Sequence, residues 1–237
     1  ALELSGKRIE DVRIVLSGLG AAGSAIARLL MSAGARDIVG YGRSGALDSA
    51  HTEGMNEHRR WLAEHTNPRG ATGALKEGLV GADVFIGVSA PNLLKAEWIR
   101  DNMATDPIVF ALANPDPEID PAEAAQYAKV VASGRSDYPN QINNVLAFPG
   151  VFRGLLDAHA EDVSIEMLIR AADAIAAVVK DEEINPSYII PSVFHPDVAD
   201  TVAVAIAGEG KTSAGATGPI KVGSRSTAAP VDETGTL

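Results

Sequence analysis

Residues 15–30 read VLSGLGAAGSAIARLL, and this stretch decides the fold. Its apolar run and helical spacing predict a buried strand over Arg13 to Ser17 and an amphipathic helix from about Ala22 to Ala33. The glycine turn between them has the G-x-G-x-x-G spacing. Since it lies between a strand and a helix, it has the context of a dinucleotide-binding turn.

The three glycines have separate predicted roles. Gly18 would permit the tight turn, Gly20 would let a pyrophosphate approach the backbone, and Gly23 would let the helix pack closely on the strand. The free N–H groups and the positive dipole at the helix start would hold the phosphates. Glycine turns also occur for purely steric reasons, which is the alternative to a binding role.

The end of the second predicted strand, Asp37 to Tyr41, selects the cofactor. It is followed by Gly42-Arg43-Ser44. An acidic residue there would accept hydrogen bonds from the ribose hydroxyls of NAD. Arg43 could instead form charge-assisted hydrogen bonds to a 2′-phosphate, and Ser44 could add a donor. We therefore favour NADP over NAD. The alternative is a solvated turn in which Asp48 supplies the ribose contact.

Apolar runs and helical patterns continue to alternate along the chain. They predict strands at 83–88, 107–113 and 129–132, helices at 75–81, 95–103 and 121–127, and partial helix within 46–66. This alternation indicates an α/β fold with a doubly wound parallel sheet, a Rossmann-like NAD(P)-binding domain. It stops from Ser133 to Gly154, after which C-terminal helices are predicted at 155–160, 164–180 and 197–207.

Composition excludes several classes of function. The 237 residues carry a formal net charge of -11, which argues against a nucleic-acid partner. The absence of cysteine excludes disulfides and thiolate metal sites. No run reaches the length of a membrane span and no signal peptide is visible, so we expect a cytoplasmic protein without a membrane partner. His51, His58 and His65 are expected at the surface, because metal ligation needs closer convergence.

The chain is predicted to hold one domain over 1–207 and a tail over 208–237. Glycine and small polar residues dominate the tail, which would stay flexible or wrap a neighbour. The opening residues 1–7 lack Met and read like the last turn of a helix that ends at Gly6. They suggest part of a longer polypeptide, with Met removal or trimming as the alternative.

The segment 133–154 is rich in amides, glycine and proline. The side chains of Asn143 and Asn144 offer both donors and acceptors, so they could bind a carboxamide or a carboxylate. Composition alone favours the other interpretation, in which these amides satisfy the backbone of a buried loop.

Two segments carry a family resemblance: FALANP at 110–115 and GRSDYPNQINNVLAFPGVFRG at 134–154. With them in view, residues 1–207 resemble the NAD(P)-binding, carboxyl-terminal portion of bacterial-type malic enzymes. The resemblance implies an oxidoreductase that transfers hydride from C2 of malate to nicotinamide. A bound Mg²⁺ or Mn²⁺ would then assist loss of CO₂ from oxaloacetate, leaving pyruvate.

The resemblance also implies site residues. Asn114 and Asn144 would contact malate and the nicotinamide end of the cofactor, which reverses the interpretation of the Asn pair from composition. Gly42 stands where many relatives carry Asp, and this puts a preference for NAD in doubt. The remaining implied positions are a wall beside the ribose or nicotinamide at Val88, Ser89 and Ala90, and the pyrophosphate turn at Gly18, Gly20, Ala21, Ala22 and Gly23.

No catalytic or metal-binding residue is expected in this chain. The family's tyrosine acid, lysine base and acidic metal ligands lie in an amino-terminal half, before the point where this sequence begins. We expect dinucleotide binding here, malate turnover only where that half is supplied, and a homo-oligomer, as in the relatives. Two alternatives stay open: a malolactic enzyme of the same family, and a non-catalytic dinucleotide-binding or assembly module.

Overall fold

The computed structural model describes residues 1–208, so the predicted tail at 208–237 lies, apart from Gly208, outside the described residues. The elements follow in the order β1 Arg13–Ser17, α1 Ala21–Ser32, β2 Asp37–Gly42, β3 Gly45–Ala46, α2 Glu57–His65, α3 Leu75–Gly78, β4 Val84–Gly87, α4 Ala96–Asn102, β5 Ile108–Ala111, α5 Pro121–Ala124, β6 Val130–Ser133, a 3₁₀ turn at Asn144–Leu146, α6 Phe148–Ala158, α7 Ile165–Ala177 and α8 Val198–Ala207.

One six-stranded sheet, in the order β3-β2-β1-β4-β5-β6, organises these elements. All strand pairs are parallel except that of β2 with the two-residue strand β3, which the sequence did not predict. The predicted α/β architecture is confirmed. The strand order reverses at β1, between β2 and β4, and the carboxyl ends of strands at such a reversal are where open α/β sheets bind ligands.

Both faces of the sheet are buried. Ile14 and Leu16 of β1 belong to the hydrophobic cluster that includes α1 and α2, whereas Val15 belongs to the cluster on the other face with α3, α4 and α5. Successive strand residues point to opposite faces, which explains why the strands read as continuous apolar runs. The prediction of a doubly wound sheet is therefore confirmed.

The C-terminal helices form a third cluster, in which α8 packs against both α6 and α7. The predicted start of the first C-terminal helix at Leu155 was wrong, because α6 already begins at Phe148. Pro149 lies in its first turn, where a missing N–H costs nothing. A Cβ at Gly150 would lie 2.6 Å from the Ala199 carbonyl oxygen, so this glycine permits close packing on α8 rather than marking a loop. No helix within residues 1–208 has the length and apolar character to cross a membrane.

Candidate functional site

The glycine turn lies between the carboxyl ends of β2 and β4. The Gly18 N–H donates to the Tyr41 carbonyl (3.3 Å), and the Val88 N–H donates to the Ser17 carbonyl (2.8 Å). Gly18 has φ +122°, and a Cβ there would lie 2.8 Å from the Val88 carbonyl oxygen. Only glycine fits this left-handed, closely packed position without strain.

Helix α1 begins at the turn with no side chain covering its end. Gly20 caps it without a side-chain hydrogen bond, and the first helical bond is Ser24 N–H to the Gly20 carbonyl (3.0 Å). The N–H groups of Ala21, Ala22 and Gly23 therefore lack a partner within the helix. A Cβ at Gly23 would lie 1.9 Å from the Gly18 carbonyl oxygen, whereas a Cβ at Gly20 would meet no atom within 4 Å. Gly23 is thus required by packing, and Gly20 faces open space.

A cleft of about 890 Å³ opens beside this turn. It brings together seven of the residues singled out from the sequence: Gly18, Gly20, Gly42, Arg43, Ser44, Ser89 and Ala90. The other singled-out residues do not line it within the described chain: Ala21, Ala22, Gly23, Val88, Asn114 and Asn144. The cleft thus joins the predicted pyrophosphate turn to the end of β2.

Positive charge dominates the lining of the cleft. Arg43, Arg59 and Lys76 line it together with a single carboxylate, that of Glu77, although the whole chain has a formal net charge of -11. Arg59 and Lys76 were missed from the sequence, because they come from α2 and α3. Asp48, the alternative ribose ligand, does not line the cleft, and its carboxylate accepts from the Ala50 N–H (2.7 Å).

Tyr41 forms part of the cleft wall at the end of β2. Its side chain is 2% exposed, and its hydroxyl has no hydrogen-bond partner among the described residues. Burial raises the pKa of this phenol, and the neighbouring Arg69 opposes that shift. The tyrosine therefore remains neutral and contributes mainly apolar surface.

Glu118 links the loops that follow β4 and β5, and no sequence pattern pointed to it. Its fully buried carboxylate accepts from the Ser89 N–H (2.9 Å) and from the Ala113 N–H (3.1 Å). The Ser89 hydroxyl is also within hydrogen-bond distance of the Ser17 hydroxyl (2.9 Å). The sequence predicts a solvent-exposed side chain for an acid in such a proline-rich segment. This carboxylate instead holds the backbone of Ser89, which lines the cleft, and of Ala113, which precedes Asn114.

The amides of the segment 133–154 have different roles. Asn140 is buried and donates to the Val131 and Pro186 carbonyls (2.9 and 2.8 Å), and the Asn143 side chain accepts from the Val145 N–H (3.0 Å). The interpretation from composition, that amides satisfy loop backbone, is correct for these two. Asn114 and Asn144 are both exposed.

The three histidines lie at the surface, as predicted. The Nδ1 atoms have different neighbours: the Asp48 carboxylate for His51, the Ser24 hydroxyl for His58, and the Trp61 carbonyl for His65. Among the described residues no group of three His, Asp or Glu side chains could hold a metal ion. The divalent metal that the resemblance implies therefore receives no ligand set from residues 1–208.

The comparisons with known proteins agree with this architecture. A family profile described as "Malic enzyme, NAD binding domain" matches residues 1–210. An NAD-dependent malic enzyme from Geobacillus stearothermophilus is 52% identical over 87% of this chain and 43% of its own length. A bifunctional malic/malolactic enzyme from Bacillus subtilis is 49% identical over 87% of this chain and 50% of its own length.

NADP dependence also occurs among the relatives. An NADP-dependent malic enzyme from Rhizobium meliloti is 39% identical over 87% of this chain and 29% of its own length. The crystal structure of an NAD-dependent malic enzyme from Thermotoga maritima superimposes with a TM-score of 0.81 at 44% identity, covering 87% of this chain and 54% of that one.

This chain spans half or less of the length of the first two relatives named above. The profile match covers both the glycine turn that opens into the cleft and the C-terminal helices. On this evidence the chain belongs to the malic enzyme family and comprises its NAD-binding domain.

Proposed function

We propose that this chain binds NAD(P) in the cleft and forms the cofactor-binding part of an enzyme that oxidatively decarboxylates malate to pyruvate and CO₂. The observation that carries the proposal is the start of α1, which has unpaired N–H groups and open space over Gly20. Helix starts of this kind bind phosphate through their N–H groups and dipole. The dinucleotide supplies the redox chemistry when bound.

The residues of the cleft and the neighbouring residues Ala21, Ala22, Gly23 and Val88 would divide the cofactor between them. The pyrophosphate would lie at Gly18 to Gly23, including Ala21 and Ala22, and the adenosine ribose at Gly42, Arg43 and Ser44. Val88, Ser89 and Ala90 would form the wall beside the ribose or the nicotinamide. The buried Glu118 would keep Ser89 in place through its hydrogen bond to that backbone.

Asn114 and Asn144 are the proposed substrate contacts. Both side chains are exposed. Asn114 lies in the loop after β5, and Asn144 begins the 3₁₀ turn that comes after β6. An amide can donate to a malate carboxylate or to the carboxamide oxygen of nicotinamide. We assign the acid, the base and the Mg²⁺ or Mn²⁺ ligands to an amino-terminal half of the kind the longer relatives have, and no residue of this chain to those tasks.

We favour NADP as the cofactor, with NAD as the alternative. Arginine at position 43 and the cationic lining of the cleft favour a cofactor with an additional phosphate. NAD-dependent enzymes stand among the relatives beside NADP-dependent ones. Replacing Arg43 by Asp should weaken NADPH binding far more than NADH binding, and equal losses would contradict the NADP preference.

Two other functions compete with this proposal. The Bacillus subtilis relative is a bifunctional malic/malolactic enzyme, so a malolactic activity is the first. Product analysis of the natural protein with malate separates pyruvate from lactate. The second is a non-catalytic dinucleotide-binding or assembly module, which a natural polypeptide clearly larger than 24.6 kDa would disfavour. We also propose a homo-oligomer, which sedimentation of the natural protein would test.

The variant Gly20→Ala tests the binding proposal most sharply. Its new methyl group would enter open space, so the thermal midpoint should stay within about 2 °C of wild type. The same methyl would occupy the position where the pyrophosphate approaches, so affinity for NAD(P)H should fall about tenfold or more. Fluorescence titration with NADPH and NADH measures this. Unchanged affinity for both would place the phosphates elsewhere and contradict the proposal.

A further inference from the structure

Arg59 reaches from α2 to the end of β2. Its N–H donates to the Asn56 side chain that caps the helix (3.0 Å). Its guanidinium extends towards Gly42, where Nη2 lies 3.6 Å from the position a Cβ would take. This places a cation over the residue at which dinucleotide-binding sheets that prefer NAD carry an acid.

The guanidinium of Arg59 is poorly satisfied by the protein. Its Nε is buried and has no hydrogen-bond partner among the described residues. Nearby arginines have partners: Arg60 donates to the Met55 carbonyl (3.2 Å), and Arg69 forms an ion pair with Asp37 (2.7 Å). Within residues 1–208 no ion pair involves Arg59 or Arg43. A buried donor without a partner is costly, so the protein itself holds this guanidinium weakly. Because Arg59 also lines the cleft, the rest of its guanidinium is available to a ligand there.

The charge around Arg59 favours an anion over a hydroxyl. Arg43 and Lys76 also line the cleft, and Glu77 provides the single carboxylate of its lining. A ribose hydroxyl donates its hydrogen bond best to a carboxylate. A phosphate instead has three acceptor oxygens, which match the donors of a guanidinium fork. The pyrophosphate already has the helix start at Gly20, so the anion beside Gly42 is a different one.

The geometry points to Arg59 as a specificity-determining residue that binds the 2′-phosphate of the adenosine ribose together with Arg43. This inference rests on the proposed function, because it takes NAD(P) as the ligand. Its chemistry is recognition of a phosphomonoester by two guanidinium groups from different elements, Arg43 after β2 and Arg59 in α2. The preference for NADP is then a property of both elements.

The test compares Arg59→Gln with the matched control Arg60→Gln on the same helix. Arg60 does not line the cleft, so its loss removes the same charge without touching the ligand. The probes are NADPH, NADH, 2′,5′-ADP and ADP, titrated against the purified chain. Arg59→Gln should weaken NADPH and 2′,5′-ADP about tenfold or more and change NADH and ADP less than about threefold. Arg60→Gln should change each affinity less than about twofold.

A second variant, Arg59→Lys, keeps the charge but loses the planar fork. It should bind NADPH several-fold less tightly than wild type and NADH equally well. This variant tests the role of Arg59 if Arg59→Gln is too unstable to titrate. Equal losses for NADPH and NADH, or no loss for either, overturn the assignment of Arg59 while leaving dinucleotide binding intact. A wild-type chain that binds neither dinucleotide overturns the proposed function, and the role of Arg59 with it.

Discussion

Replacing Glu118 by Ala should destabilise the domain strongly. The side chain is fully buried, and its carboxylate accepts from two backbone N–H groups, those of Ser89 and Ala113. Removing it leaves both donors unpaired, at about 1–3 kcal/mol each, and opens a cavity. We expect the free energy of unfolding to fall by about 4 kcal/mol.

Urea unfolding of the purified chain, followed by circular dichroism, measures this loss as a shift of the midpoint. Glu118→Gln keeps one acceptor oxygen but sets its NH₂ group against the other N–H, so it should lose about 2 kcal/mol. Glu123→Gln is the control, because Glu123 is exposed on α5, and its loss should stay below about 0.5 kcal/mol. A loss below about 1 kcal/mol for Glu118→Ala would refute the bridging role of this carboxylate.

Two further variants address the glycine turn and the cleft wall. Gly23→Ala forces a methyl group to within 1.9 Å of the Gly18 carbonyl oxygen, so urea unfolding should show a loss of about 2 kcal/mol, and unchanged stability would contradict the packing role of Gly23. Tyr41→Phe removes a buried hydroxyl without a described partner, and should raise the thermal midpoint by about 2–4 °C at neutral pH. Because burial raises the pKa of Tyr41 above its unfolded value, wild-type stability should be present in full below pH 10 and decline as the pH rises beyond it. The Tyr41→Phe variant should lose less stability over that alkaline range. If wild type and variant lost stability equally between about pH 9 and 11, Tyr41 would not contribute to the alkaline destabilisation.

The fold could be predicted from the sequence because its signals are local. Strands buried on both faces read as apolar runs, and Gly18 and Gly23 mark the turn that joins β1 to α1. Where the same local signals mislead, packing between distant elements decides. Phe148-Pro-Gly resembles a loop by composition, yet α6 begins there. Its glycine at position 150 lets the helix pack closely against α8.

Only those site residues that directly follow a strand could be predicted from the sequence. The turn at Gly20 and the residues Arg43 and Ser89 lie in one cleft because they follow neighbouring parallel strands, and parallel strands end at the same edge. Arg59 and Lys76 reach that cleft from helices, and no spacing along the chain predicts such a contact. Asn114 and Asn144 came from the family resemblance, and their approach to a ligand remains a prediction.

The sequence by itself determined the α/β class, the position of the turn and the family, because strand burial, glycine spacing and two long motifs are written in consecutive residues. Only the tertiary structure decided which charges meet. It placed Arg59 over Gly42 and buried Glu118 between two loops, since side-chain neighbours across a sheet depend on strand order and helix packing. Local sequence sets most of the elements, whereas the electrostatics of the cleft arise when distant elements pack together.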